Sequence, residues 1–258
     1  MSPIRRVALR AGAGVVATSV LGVGVLGVEA ELARRREYVS ADSAPPVSSL
    51  IGAGSGAPLR LAVLGDSTAA GLGVTDTGDT VGAQVASALS TDLRRPVRLD
   101  GLGVSGARTA DLDPQVSRAL LQKPDVAVIL VGPNDVTHLT RRSSVRNDVA
   151  NAVRRLRAAG AAVVVGSCAD MGAATAFLQP LRTVSAWRGR AIGAAVRAAA
   201  TDEGGLAVDI GGETGAAFRS DPDRYLSSDE FHPSIEGYRL WAEALLPEVR
   251  VAAGVATS

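Results

Sequence analysis

Residues 125–131 read DVAVILV, and Gly132-Pro133-Asn134-Asp135 follows at once. No polar side chain interrupts the run after Asp125, so it lacks the alternation of a strand with one wet face. Seven residues are too few for a typical helix and suit a strand buried on both sides. Similar short apolar runs stand at Leu59–Leu64, Val97–Leu102, Ala161–Gly166 and Leu206–Ile210. Between them, Thr80–Leu93, Pro114–Leu121, Val145–Ala159 and Leu181–Thr201 carry helical spacing and good helix formers. Buried strands alternating with helices predict a three-layer α/β/α domain around a parallel sheet of about five strands. Right-handed crossovers then gather the loops after the strands along one edge, where ligands bind in such folds.

Those loops hold the residues with chemistry. Gly65-Asp66-Ser67-Thr68 follows the first strand, Gly103-Val104-Ser105-Gly106 the second, and Gly132-Pro133-Asn134-Asp135 the third. Nearer the C-terminus stands Asp229-Glu230-Phe231-His232-Pro233. A serine becomes a nucleophile when a base takes its proton, and that base needs a third group to orient it. His138 and His232 are the only histidines, and His232 has an acid three residues upstream. Pro233 holds His232 extended and suits the first position of a helix running on from Ser234. Ser67, Asp229 and His232 are therefore a candidate triad.

Together the four blocks resemble the SGNH (GDSL-type) hydrolases, a family of esterases, lipases and acyltransferases. The resemblance spans roughly Leu59–Val249. It implies a flavodoxin-like sheet, with Ser67 as nucleophile, His232 as base and Asp229 as its partner. It also implies an oxyanion hole made by the Ser67 and Gly106 N–H groups and the Asn134 side chain. No metal or organic cofactor is implied. Three positions depart from the common pattern: Thr68 stands for Leu, Gly101 for a frequent Asn, and Glu230 for a small residue after the triad acid. The expected activity is hydrolysis of carboxylic esters. The same triad could instead pass the acyl group to a sugar or glycolipid hydroxyl, or the fold could persist as a silent binding module.

Other residues have plainer readings. Alone, Ser67 would read as a helix N-cap, and Ser105 in Gly103-x-Ser105-x-Ala107 as a turn serine. Asn134 could brace a turn, and Asp135 is expected to fix its loop. His138 reads as a loop histidine, Cys168 as an inert buried thiol, and Gly71-x-Gly73 is too short for a dinucleotide fingerprint. The arginines of 145–157 predict a solvated helix face. Met171, Phe177, Leu178 and Trp187, after the fourth strand, are candidates for an acyl-pocket wall or for core.

The chain has 27 Lys and Arg against 26 Asp and Glu, a net charge of +1. That balance argues against a nucleic-acid partner. Its single cysteine excludes an intrachain disulfide and a Cys-built zinc site. Arg5, Arg6 and Arg10 precede an uncharged run from Ala11 to Val28, about 27 Å long as a helix. That is the layout of an export signal or a single membrane anchor. Residues 1–39 are accordingly expected to target or anchor the chain outside the cytoplasm, beside a membrane. Residues 40–58, rich in Ser, Ala, Gly and Pro, read as a flexible linker, and 59–254 as the catalytic domain. The substrate expected is a small acyl ester or a lipid.

Overall fold

A computed structural model describes residues 24–255 except 34 and 37. The part of the apolar run before residue 24 lies outside these residues. Among the described residues no helix is long and apolar enough to cross a membrane.

The sheet has six strands in the order β1-β3-β2-β4-β5-β6. Five are parallel and match the five expected: β2 (Leu59–Gly65), β3 (Val97–Gly101), β4 (Val126–Leu130), β5 (Ala162–Gly166) and β6 (Leu206–Val208). Taken alone, they follow the flavodoxin-like order, whose direction of winding reverses between its first and third strands. Here that switch point lies between β2 and β4, so their C-terminal ends open onto a crevice.

Alternation along the strands builds two cores. Leu61 and Val63 of β2, with Val126 and Val128 of β4, face α2 (Val81–Leu93) and α9 (Ile235–Ala252). Ala62, Leu64, Ala127 and Ile129 face α3 (Leu112–Gln122), α5 (Arg142–Ala158) and α6 (Leu181–Asp202). All of these strand residues are at most 2% exposed, which explains the unbroken apolar runs. Helix starts follow their caps. The Thr80 side chain accepts from Ala83 N, and Ser234 accepts from Gly237 N. Pro233 therefore precedes the cap and is not the first residue of α9.

Three further helices join these: α4 (Pro133–Thr137), α7 (Ile210–Ser220) and α8 (Pro222–Tyr225). The expected strand through Ile210 stops at Val208, because the Asp209 side chain caps α7 through Gly212 N. The arginines of α5 are not simply solvated. Arg155 pairs with Asp113, Arg146 with Asp202 and Arg154 with Glu203, tying α5 to its neighbours.

The flexible linker is the main correction. Within it, β1 (Ser49–Ile51) pairs antiparallel with β3, and Val47 is buried in the core. A Cβ on Gly101 would stand 2.3 Å from Val47 Cβ, so only glycine lets the segment approach β3 so closely. Composition concealed this because the pairing uses main-chain groups and only a few apolar side chains, Val47 and Ile51 among them. Before it, residues 24–33 form helix α1. Burying one valine contributes about 1.5–3 kcal/mol. A chain starting at Leu59 is therefore expected to unfold roughly 5 °C or more below one starting at Ser40, by thermal denaturation.

Candidate active site

The nucleophile candidate sits two residues beyond β2. Gly65 ends the strand with φ +137°, and a Cβ there would stand 1.8 Å from Leu130 O. The chain then turns sharply: Ala70 N donates to Asp66 O and Leu72 N to Ser67 O. This turn holds Ser67 at the switch point, 7% exposed.

The loop carrying Asp229 and His232 is closed by backbone bonds from Ser227 N to His232 O and from Ser234 N to Tyr225 O. Within it, Asp229 folds back as an N-capping carboxylate does. Its Oδ1 accepts from Ser227 Oγ, Phe231 N and His232 N, each at 2.9 Å. Its Oδ2 then lies 2.6 Å from His232 Nδ1. An ionised carboxylate can only accept, so Nδ1 carries the proton and Nε2 is left with its lone pair. That lone pair faces Ser67 Oγ at 3.0 Å. The structure thus brings Ser67, His232 and Asp229 into one buried line. Two contacts keep the loops in register: the Tyr238 hydroxyl donates to Leu72 O, and a Cβ on Gly73 would meet Pro233 O at 2.3 Å.

The second and third blocks lie beside this line. Val104 N donates to Gly65 O, which lays the glycine block against the end of β2. Gly106 has φ +78° in the turn closed by Ala107 N to Val104 O. Asn134 Nδ2 donates to Ala107 O at 3.0 Å, joining the amide to that turn. Among the described residues, the N–H groups of Ser67 and Gly106 donate to no protein acceptor. Ser105 is exposed and has no contact with His232. His138 is an exposed loop residue whose Nδ1 meets Asn134 O, and Asp135 fixes the loop by accepting from Thr109.

Two buried carboxylates have opposite fates. For Asp229, burial raises the pKa, but the hydrogen bonds from His232 and Phe231 outweigh it and hold the carboxyl well below its usual range. For Asp66, burial dominates over the Thr68 hydrogen bonds and pushes the pKa up to about 6. Asp66 Oδ2 has no hydrogen-bond partner, so its negative charge is poorly compensated where it is buried. Thr68, which stands where the family pattern has Leu, spends its hydroxyl on Asp66 Oδ1. Cys168 is buried, and its thiol is pushed well above its ordinary pKa by burial and then by Asp66 and Asp135. Among the described residues no cluster of His, Cys, Asp or Glu could hold a metal ion.

An apolar cleft opens from Ser67 and His232, walled by Met171, Ala173, Phe218, Leu226, Phe231 and Trp241. Of the four side chains expected to wall it, Met171, Phe177, Leu178 and Trp187, only Met171 takes part directly. Phe177 packs behind Phe231 at 5.6 Å between ring centres, whereas Leu178 and Trp187 are 55% and 66% exposed. Phe218, Leu226 and Trp241 come from α7, the loop after α8 and α9. Nothing in their local sequence separates a cleft wall from a core.

The GDSL-like Lipase/Acylhydrolase family model matches residues 63–240. The chain belongs to this family. The GDSL-like esterase Rv1075c of Mycobacterium tuberculosis is 36% identical over 194 residues. The match covers 74% of this chain and 62% of the relative's length. Two solved structures of GDSL-like fold superpose well. A lipase/acylhydrolase from Enterococcus faecalis has TM-score 0.60 and 19% identity, covering 74% of this chain and 95% of that one. Axe2, an acetylxylan esterase from Geobacillus stearothermophilus, has TM-score 0.56 and 23% identity, with coverage of 76% and 95%. Both likenesses bear on the fold, which is the α/β fold of GDSL-like hydrolases.

Because Asp66 has a raised pKa when folded, its stabilising contribution is complete below pH 4. It is lost as the pH rises through about 6. Asp66→Asn keeps an acceptor for Thr68 and removes the titration. Its melting temperature is expected to rise relative to wild type between pH 4 and pH 8. A constant difference across that range would contradict the assignment.

Proposed function

We propose that this chain is a serine esterase that hydrolyses carboxylic (acyl) esters through an acyl-enzyme on Ser67. The observation that carries the reading is the line from Asp229 Oδ2 through His232 to Ser67 Oγ, opening onto an apolar cleft. The esterase named among its relatives supports the same reaction class.

In this reading Ser67 Oγ attacks the acyl carbonyl carbon, and His232 Nε2 takes the hydroxyl proton. Asp229 stabilises the resulting imidazolium. The negative charge on the former carbonyl oxygen is met by the Ser67 and Gly106 N–H groups and by Asn134 Nδ2. The C–O bond to the leaving group breaks, and His232 returns its proton to the departing alcohol. Water then attacks the acyl-enzyme, gives a proton to His232 and releases the acid as Ser67 recovers its own. No step requires a metal or organic cofactor. The cleft takes the acyl chain.

The apolar run at 11–28 supports an extracytoplasmic placement, with the N-terminal segment as an export signal or membrane anchor. An acyl lipid or small acyl ester near that membrane is then the substrate class proposed.

Ser67→Ala is expected to abolish p-nitrophenyl ester hydrolysis, while Ser105→Ala stays within twofold of wild type. The reverse pattern would move the nucleophile to Ser105. A wild type that is acylated by a fluorophosphonate yet turns over only with an added alcohol or sugar would be a transferase. Asn134→Ala is expected to lower kcat about 100-fold or more with KM little changed. The cleft makes a separate prediction. Phe218→Ala should move the chain-length optimum toward longer esters, and Leu178→Ala should leave it where it is.

A further inference from the structure

We propose that Val39, at the end of the N-terminal segment, is a positioning residue whose main-chain N–H holds the catalytic acid. The proposal rests on reading Asp229 as the partner of His232. Four of the five donors to Asp229 come from its own loop, residues 227–232. The fifth is Val39 N, at 3.1 Å from Oδ2 and 190 residues away along the chain. Three donors crowd Oδ1, so Oδ2 is the oxygen free to aim at the imidazole. It has two lone-pair directions. His232 Nδ1 takes one, and Val39 N takes the other.

The segment is fastened to the domain on both sides of this bond. The Tyr38 ring meets Phe231 edge to face at 5.3 Å, and Phe231 in turn meets the His232 ring edge to face at 5.1 Å. Arg36 Nη2 donates to Glu230 Oε2 at 2.6 Å. Further back, the buried Glu29 of α1 accepts from Leu181 N at 2.7 Å. This bond gives α6 the N-terminal acceptor that Pro180, at its cap position, cannot supply. Arg36, Tyr38 and Val39 therefore form a strap over the loop 229–232, and the Asp229 side chain keeps only 3% of its surface exposed.

The strap does two things for the reaction. It blocks rotation of the carboxylate away from Nδ1, and it keeps water from screening Asp229 at the moment the imidazolium forms. Neither effect touches bound ester, so both act on kcat and not on KM. Hydrolysis thereby depends on a segment that precedes the sheet and leads back toward the apolar N-terminal run.

The test uses the full chain and p-nitrophenyl acetate. Val39→Pro deletes the N–H, and Val39→Ala keeps it. Val39→Pro is expected to lower kcat about tenfold with KM within twofold, and Val39→Ala to stay within twofold in both. Equal kcat for the two variants would overturn the proposal. A second pair guards against a proline that disturbs the fold. Arg36→Ala/Tyr38→Ala keeps every backbone donor but unfastens the strap. It should lower kcat in the wild-type background and add nothing in Val39→Pro. Wild-type kcat in that double variant would also overturn the proposal. Ser67→Ala separates the two levels of the argument. If it remains active, the triad reading fails. If it is inactive while Val39→Pro matches wild type, only the role of Val39 fails.

Discussion

A carboxylate taken almost wholly out of water stays ionised only if donors replace the water it has lost. Asp229 meets this condition with five, and much of the surrounding architecture supplies them. The tight turn at 227–232 presents two backbone N–H groups and a serine hydroxyl to one oxygen. Closing that turn requires the pairings of Leu226 with Pro233 and of Ser227 with His232. These in turn set where Ser234 can cap α9. Once α9 is placed, Tyr238 reaches back to Leu72 and fixes the serine turn against the histidine. The distance between Ser67 and His232 is thus set by packing across 165 residues of sequence, with both loops braced from the same helix.

Asp66 shows the other outcome of burial. It adjoins Ser67, yet only one of its oxygens is supplied, by the backbone and hydroxyl of Thr68. The unsupplied oxygen raises its pKa to about 6, while Asp229 is driven down. Burial raises both pKa values, and the difference in their donors sets the direction in which each finally moves.

The parallel strands and the meeting of Ser67, His232 and Asp229 were legible because each leaves a mark in local sequence. DVAVILV has no polar face, and Asp-x-x-His is the span over which a carboxylate can cap its own turn and reach an imidazole. The cleft was not legible. Phe218 and Trp241 sit in amphipathic helices, and a side chain facing a cleft obeys the same periodicity as one facing a core. Leu178 and Trp187 misled for the same reason, since an apolar residue in a loop carries no sign of which way it points. The strand at 49–51 was hidden because three residues of edge pairing need almost no apolar signal. Its energy comes from the β3 backbone it meets.

Two departures from the family pattern, Gly101 and Glu230, had no explanation within the four blocks. Both are explained by chain that precedes them. Gly101 lacks a side chain because Val47 occupies the space, and its N–H donates to Ser48 Oγ. Glu230 adopts φ +59°, a conformation that costs a residue with a Cβ about 1–2 kcal/mol. It spends its carboxylate on Arg36. Of the small residues only glycine would relieve the first cost, and any of them would lose the second contact. The substitutions make sense only if residues 36–51 are part of the domain they cover. The boundary drawn from composition at residue 59 therefore divides one folded unit. What lies before it is a covering layer that reaches from the edge strand to Asp229.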